Sequence, residues 1–151
     1  MSFKPPVGAA TVSTRGILRL TGDLSGTADS PTVVNMAKAT LGGQETVSTN
    51  ATATGAVTLN LTNGNVFSLT LTGNVTLTFS GAIAGRACSF TAYLRQDATG
   101  GRVVTWPGSV SWSGAVAPSL STAANSIDIV VFESIDGGTN WYGSLVGTAF
   151  A

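Results

Sequence analysis

The chain contains no histidine. That absence removes Ser-His-Asp and Cys-His catalysis, the common zinc ligand sets and histidine proton shuttling. A single cysteine, Cys88, excludes an intrachain disulfide. Cys88 alternates with Phe90, Ala92 and Leu94, so it reads as a small buried hydrophobe rather than a nucleophile. Charge is scarce: charged residues make up 9%, where about 25% is ordinary. Seven basic residues cancel seven acidic ones and form no basic stripe, so no nucleic-acid partner is expected. No apolar run approaches the ~20 residues of a membrane span, and no membrane insertion is expected. The start, MSFKPPVGAA, has one lysine and no long apolar stretch, so a secretory signal peptide is not expected there. Neither GxxxxGK[ST] nor GxGxxG occurs. No cofactor, metal site or catalytic residue is expected.

What is present is small, polar and β-forming. Hydrophobic residues reach 43%. With so little charge, this implies that much of the surface is covered in an oligomer or lattice. Residues 1–44 read as an extended arm. Pro5-Pro6 and Gly8 oppose helix at its start. The stretch 13–33, STRGILRLTGDLSGTADSPTV, has too few apolar side chains to offset an ordering cost of about 1–2 kcal/mol per residue. It must be ordered against something else. Arg15, Ile17, Leu18, Arg19, Leu20 and Leu24 are the candidate anchoring and trimerisation residues. The apolar ones carry most of the anchoring, because exposed ion pairs are worth only about 0–1 kcal/mol. Residues 34–44 hold a hint of helix, and 45–55 read as a Thr/Ser/Ala-rich linker or an edge strand.

From residue 56 to 151 the hydrophobic period is two. Val57, Leu59 and Leu61 alternate with polar residues, as do Phe67, Leu69 and Leu71, and then Val75, Leu77 and Phe79. Asn63-Gly64 and Gly73-Asn74 separate these runs and predict hairpin turns. The outer face is almost wholly threonine, which suits an exposed strand. Further strands are expected over 88–95, 102–106, 110–112, 126–134 and 141–146. The fold expected is all-β: an extended N-terminal arm followed by an antiparallel, jelly-roll-like β-sandwich.

Two kinds of chemistry remain conceivable. Paired carboxylates could act on a sugar, but Asp97 and Asp136 sit in turn sequences where Asp caps its own turn. The loop Asp136-Gly137-Gly138-Thr139-Asn140 lacks calcium-site spacing. Tyr93, Trp106, Trp112, Trp141 and Tyr142 could stack on a glycan, with core packing as the alternative for each tryptophan. The sequon matches at Asn50, Asn60 and Asn74 are read as chance in a threonine-rich chain.

Two stretches resemble known proteins. GILRLTGDLSGTADSPTV resembles a short element of bacteriophage virion proteins, among them tail fibres, minor tail proteins and head fibres. Residues 86–147, especially TAYLRQDATGGRVVTWPGSVSW and FESIDGGTNWYGSLVG, resemble the distal β module of phage structural proteins. The resemblance implies a non-enzymatic homotrimer on the virion surface, assembled in the bacterial cytoplasm. About a dozen residues precede Ser13, and no shaft repeat is visible. The reading favoured on that ground is a capsid decoration or head-fibre protein whose partner is the capsid. The alternative is a tail-fibre or minor tail protein that partners tail proteins and binds a host surface glycan.

Overall fold

The computed structural model describes residues 24–27, 30–33 and 45–151. The chain divides into two compact units, Met1–Gln44 and Glu45–Ala151. In the first, β1 (Leu24–Thr27) and β2 (Ser30–Val33) form an antiparallel pair, with Leu24 opposite Val33. The hint of helix within 34–44 and the Pro-rich start lie outside the described residues.

The second unit is all-β. Its strands are β3 (Val47–Asn60), β4 (Val66–Ser80), β5 (Cys88–Gln96), β6 (Val104–Thr105), β7 (Val110–Trp112), β8 (Ile127–Ser134) and β9 (Trp141–Phe150). They join in one seven-stranded sheet of order β3-β4-β5-β8-β9-β7, with β6 paired to β4. Of the two readings of residues 45–55, linker or edge strand, the second fits: they are largely the first half of β3, which ends the sheet order.

The hairpins expected at 63–64 and 73–74 do not form, and this part of the fold is not antiparallel. β3 and β4 pair in parallel, Val47 opposite Val66 and Asn60 opposite Ser80. A straight strand of 14 residues would be about 46 Å long. The connection 61–65 spans at most about 20 Å. Both long strands must therefore fold back on themselves, each making one flattened turn of a coil. β4 shows the result directly: its first half pairs with β5 and its second half with β6, again in parallel. The bends lie near Gly55 and Gly73. A side chain at Gly73 would collide with the Thr54 hydroxyl of the turn below.

Alternation persists through the bend. Phe67, Leu69, Leu71, Val75 and Leu77 of β4 are all buried, and Ser68, Thr70, Thr72, Thr76 and Thr78 face outward. The corner asparagines hold backbone. Asn60 Oδ1 accepts from the Thr62 amide, Asn50 Oδ1 from the Thr52 amide, and Asn74 Oδ1 from the Val103 amide.

The doubled-back sheet makes two layers around one core. The larger layer holds the first halves of β3 and β4 with β5, β8, β9 and β7. The smaller holds the second halves of β3 and β4 with β6. Here β5–β8 and β8–β9 are antiparallel, while β7–β9 is parallel. Phe79, from the smaller layer, packs against Phe90, Phe132 and Trp141 at ring separations of 4.9, 5.0 and 5.4 Å. Cys88 is half-buried at the edge of this core, and burial, then the nearby Asp136 charge, pushes its thiol pKa up.

Candidate functional site

The five candidate aromatics separate into three places. Trp141 is 2% exposed, and its indole N–H donates to the Gly138 carbonyl at 3.0 Å. It is a core residue and offers no ring face to a ligand; its inward position with Gly143 on β9 requires this. Tyr93 and Tyr142 are exposed on the outer face of the larger layer. Tyr93 lies opposite Ile129 and Tyr142 opposite Glu133, four positions apart along β8 and so separated by about 13 Å. They do not form one platform.

Trp106 and Trp112 do come together. Their rings meet edge to face at 5.1 Å, and both lean on Phe132. Trp106 follows β6 of the smaller layer, and Trp112 ends β7 of the larger. The smaller layer has too few strands to cover the inner face near β9. The tryptophan pair and the loop carrying Pro118 take up that space. Gly143 permits it, because the Trp112 ring lies directly over its backbone, where a Cβ would clash.

Two grooves flank Pro118. One, of about 340 Å³, is lined by Arg102, Val104, Trp106, Ser119, Leu120 and Thr122, among others. The other, of about 290 Å³, is lined by Trp112, Ser113, Val116, Gly143, Ser144 and Leu145. Both combine an indole edge with hydroxyls and backbone, at a size within reach of a small ligand.

Buried polar side chains that periodicity treats as errors fix the walls of this region. Gln96, at the inward end of β5, is 2% exposed. Its Oε1 accepts from the Arg102 amide at 2.8 Å, and its Nε2 donates to the carbonyls of Arg102 and Ser121, both at 3.0 Å. Asp128, inward on β8, accepts from the Ser121 amide and, at 2.9 Å, from the Ala149 amide. Gly101 N–H donates to Thr122 O, and Asn125 N–H to Asp97 O. Loops 97–103 and 119–126 are thereby tied to each other and to the core. The sequence signal for both residues is a polar side chain in an inward register: Gln96 follows Phe90, Ala92 and Leu94, and Asp128 precedes Val130 and Phe132.

Arg102 is neutralised in place. It pairs with Asp97 at 2.7 Å, each side chain largely screened from solvent. Asp97 also accepts from the Thr99 and Gly100 amides. The Arg102 hydrogen bond, assisted by those amides, holds the Asp97 carboxyl below the usual range, and the same pairing pushes Arg102 up.

The loop 136–140 lies at the other end of β5, where Gly137 N–H donates to Arg86 O. Asp136 accepts there from the amides of Thr139 and Asn140 and from the Asn140 side chain at 2.7 Å. The Asn140 bonds, with Ser134 and Thr139, hold its pKa down to about 2. Asp97 and Asp136 thus act as turn residues. Among the described residues, no group of three or more His, Cys, Asp and Glu is arranged to hold a metal, and no helix is long and apolar enough to cross a membrane. Of the anchoring candidates, Arg15, Ile17, Leu18, Arg19 and Leu20 lie outside the described residues, and Leu24 is the first residue of β1.

No curated protein and no solved structure matches the chain. Residues 25–134 match the family model described as "Putative phage tail fibre C-terminal domain". That span runs from β1 through β8 and includes both groove tryptophans. The chain belongs to this family of phage tail fibre C-terminal domains, and it is a structural component of a bacteriophage virion.

Proposed function

We propose that the chain is a distal element of a tail fibre, exposed on the virion, that binds a saccharide of the host cell surface without altering it chemically. The family match favours the tail over the capsid lodging expected above. The observation that carries the binding reading is the Trp106–Trp112 pair, 5.1 Å apart, standing between two polar-lined grooves. Indole edges supply apolar contact for the C–H faces of a sugar ring. Ser113, Ser119, Thr122 and backbone groups supply hydrogen bonds for its hydroxyls. The loop that carries Ser119 and Thr122 is preorganised by Gln96 and Asp128, which both hold the Ser121 backbone, and this limits the entropy lost on binding. A homotrimer, implied by the resemblance, belongs to the same proposal.

An array of purified bacterial surface polysaccharides tests it. Ser119 is exposed and lines the larger groove. Ser119→Trp should fill that groove and remove binding with the melting temperature unchanged. Binding that survives this change would place the saccharide elsewhere. Copy number per virion separates the two lodgings: a handful of copies fits the tail, and a number near that of the major capsid protein overturns the tail-fibre reading.

A further inference from the structure

The two grooves beside Pro118 are apolar at their rims and hold almost no charge. Val103 lines the larger and Val116 the smaller, and they are 57% and 72% exposed. Val104 and Leu120 continue the larger groove and Leu145 the smaller, with Pro118 bordering both. Branched side chains exposed at a groove mouth are apolar surface left for a ligand to cover. Among the described residues that line the two grooves, only Arg102 is charged.

That cation is already matched. Both Asp97 carboxylate oxygens accept from Arg102 Nε, and Oδ2 also accepts from Nη2 at 2.7 Å. The Thr99 and Gly100 amides fix Asp97, and Gln96 fixes the Arg102 backbone through both its N–H and its carbonyl. A second carboxylate, Asp128, is buried behind the same wall and accepts from the Ser121 amide. Arg95 faces outward on β5, and Arg86 precedes the other end of that strand. Neither brings a compensating charge to the grooves. An anionic group reaching Arg102 would have to displace Asp97 or stand beside it, and like charges brought together select against such a ligand. Nη1 is not engaged by Asp97 and can donate to a neutral hydroxyl or carbonyl oxygen.

We infer that the saccharide proposed above, on whose binding this rests, is a neutral one carrying methyl groups, and that Asp97 sets this charge selectivity. Methyl groups of 6-deoxy or O-acetylated sugars cover Val103, Leu120 and Val116, while the serines and threonines meet the hydroxyls. Polymers bearing uronate, sialate or phosphate are turned away by the Asp97 carboxylate.

The polysaccharide array tests this when sorted into three sets: neutral with 6-deoxy or O-acetyl groups, neutral without them, and acidic. Rhamnan, dextran and polygalacturonate serve as reference members. The wild type should bind within the first set. Mild base, which removes O-acetyl groups, tells the two methyl sources apart: binding is lost where acetyl is recognised and kept where the 6-deoxy methyl is. Raising sodium chloride from about 0.05 to about 0.5 M should change the affinity by less than about twofold, since no net charge is matched across the contact. Asp97→Asn keeps an acceptor for the Thr99 and Gly100 amides and removes only the charge. It should tighten binding of polygalacturonate by on the order of tenfold, in a salt-sensitive way, with near-ultraviolet circular dichroism of the tryptophans as the control for folding. A wild type that prefers the acidic set, or that binds neutral polymers without methyl groups equally well, overturns the inference and leaves saccharide binding standing. A folded Asp97→Asn variant that gains no acidic ligand overturns the role of Asp97. Should that variant fail to fold, the wild-type salt response decides, and a loss of about tenfold or more overturns the inference. Binding to no polysaccharide at all overturns the saccharide reading itself, and the inference with it.

Discussion

Between residues 46 and 85 the chain carries no charged or titratable side chain, and the strands it forms there pair with each other in parallel. From Arg86 onward charge returns, the strand pairs β5–β8 and β8–β9 are antiparallel, and the loops lengthen. The two regions hold themselves together by different means. In the coil, like stacks on like: Val57 beside Leu77 and Leu59 beside Phe79 inside, Thr58 beside Thr78 outside with hydroxyls 2.8 Å apart. Hydroxyls wet the outer face, so charge is not needed. In the second region, single polar side chains each hold a particular loop: Asp97 with Arg102, Gln96, Asp128 and Asp136. Stacking gives a regular shaft-like surface, whereas individual networks give irregular loops. The candidate groove lies among the latter.

The largest effect should come from cutting the link between the two regions. Phe79 reaches from the coil onto Phe90, Phe132 and Trp141. Phe79→Ala should cost about 3–5 kcal/mol, while its outward neighbour Thr78→Ala should stay within about 1 kcal/mol even with its hydroxyl pair lost. Urea unfolding of the two variants checks this. Equal losses would mean that the threonine ladder, rather than the aromatic cluster, carries the stability.

Next comes the bend. Gly73→Ala places a methyl group against Thr54, and overpacking of this kind costs about 1–3 kcal/mol. Thr54→Ala in the same chain should recover much of the loss, since it removes the colliding hydroxyl. A double-mutant cycle measures the coupling. Were 73–74 a free hairpin turn, the two changes would simply add.

That bend also shows where the sequence could be read and where it could not. The alternation identified the inward residues of β4, and Phe67, Leu69, Leu71, Val75 and Leu77 are indeed buried. Alternation does not distinguish a strand that bends from one that turns back, because Gly73 keeps the inward parity in either case. The Asn-Gly rule supplied hairpins, but Asn60 and Asn74 hold corners of a coil instead. Thr-Gly-x-Val-Thr-Leu recurs at residues 54–59 and 72–77, but the strands pair two residues out of step with that repeat, Val57 beside Leu77. For the site, the aromatics named from sequence included the pair that meets. What separated Trp141 from Trp106 and Trp112 was its inward phase with Leu145 on β9. Gln96 and Asp128 belong to no motif; only their inward phase with Leu94 and Val130 marks them, and what each holds depends on loops distant in sequence.

Gln96 tests whether the loop networks act locally. Gln96→Leu fills similar space but leaves the Arg102 amide and two carbonyls without their partner. A loss of about 2–3 kcal/mol is expected. Hydrogen exchange should accelerate in loops 97–103 and 119–126, with amides of β3 and β4 little changed. Uniform acceleration would deny that the two regions are held by separate means.

The smallest effect concerns pH, and it isolates the second region. Asp136 has its pKa held down to about 2 by Asn140 and its neighbours, against an unfolded value of about 3.9. A depressed carboxylate adds stability that is fully present above the unfolded value and is lost as pH falls toward the folded one. Asp97 is shifted in the same direction by Arg102. Melting temperature should therefore decline between about pH 4 and pH 2, and Asp136→Asn should lower it at neutral pH and flatten that decline. The coil supplies no group that titrates in this window, since residues 46–85 contain none. Acid should consequently loosen the loops at 134–140 and 97–102 before it disturbs β3 and β4, which amide exchange at successive pH values resolves. If β3 and β4 loosen first, stacking depends on the loop networks, and the division between the two regions does not hold.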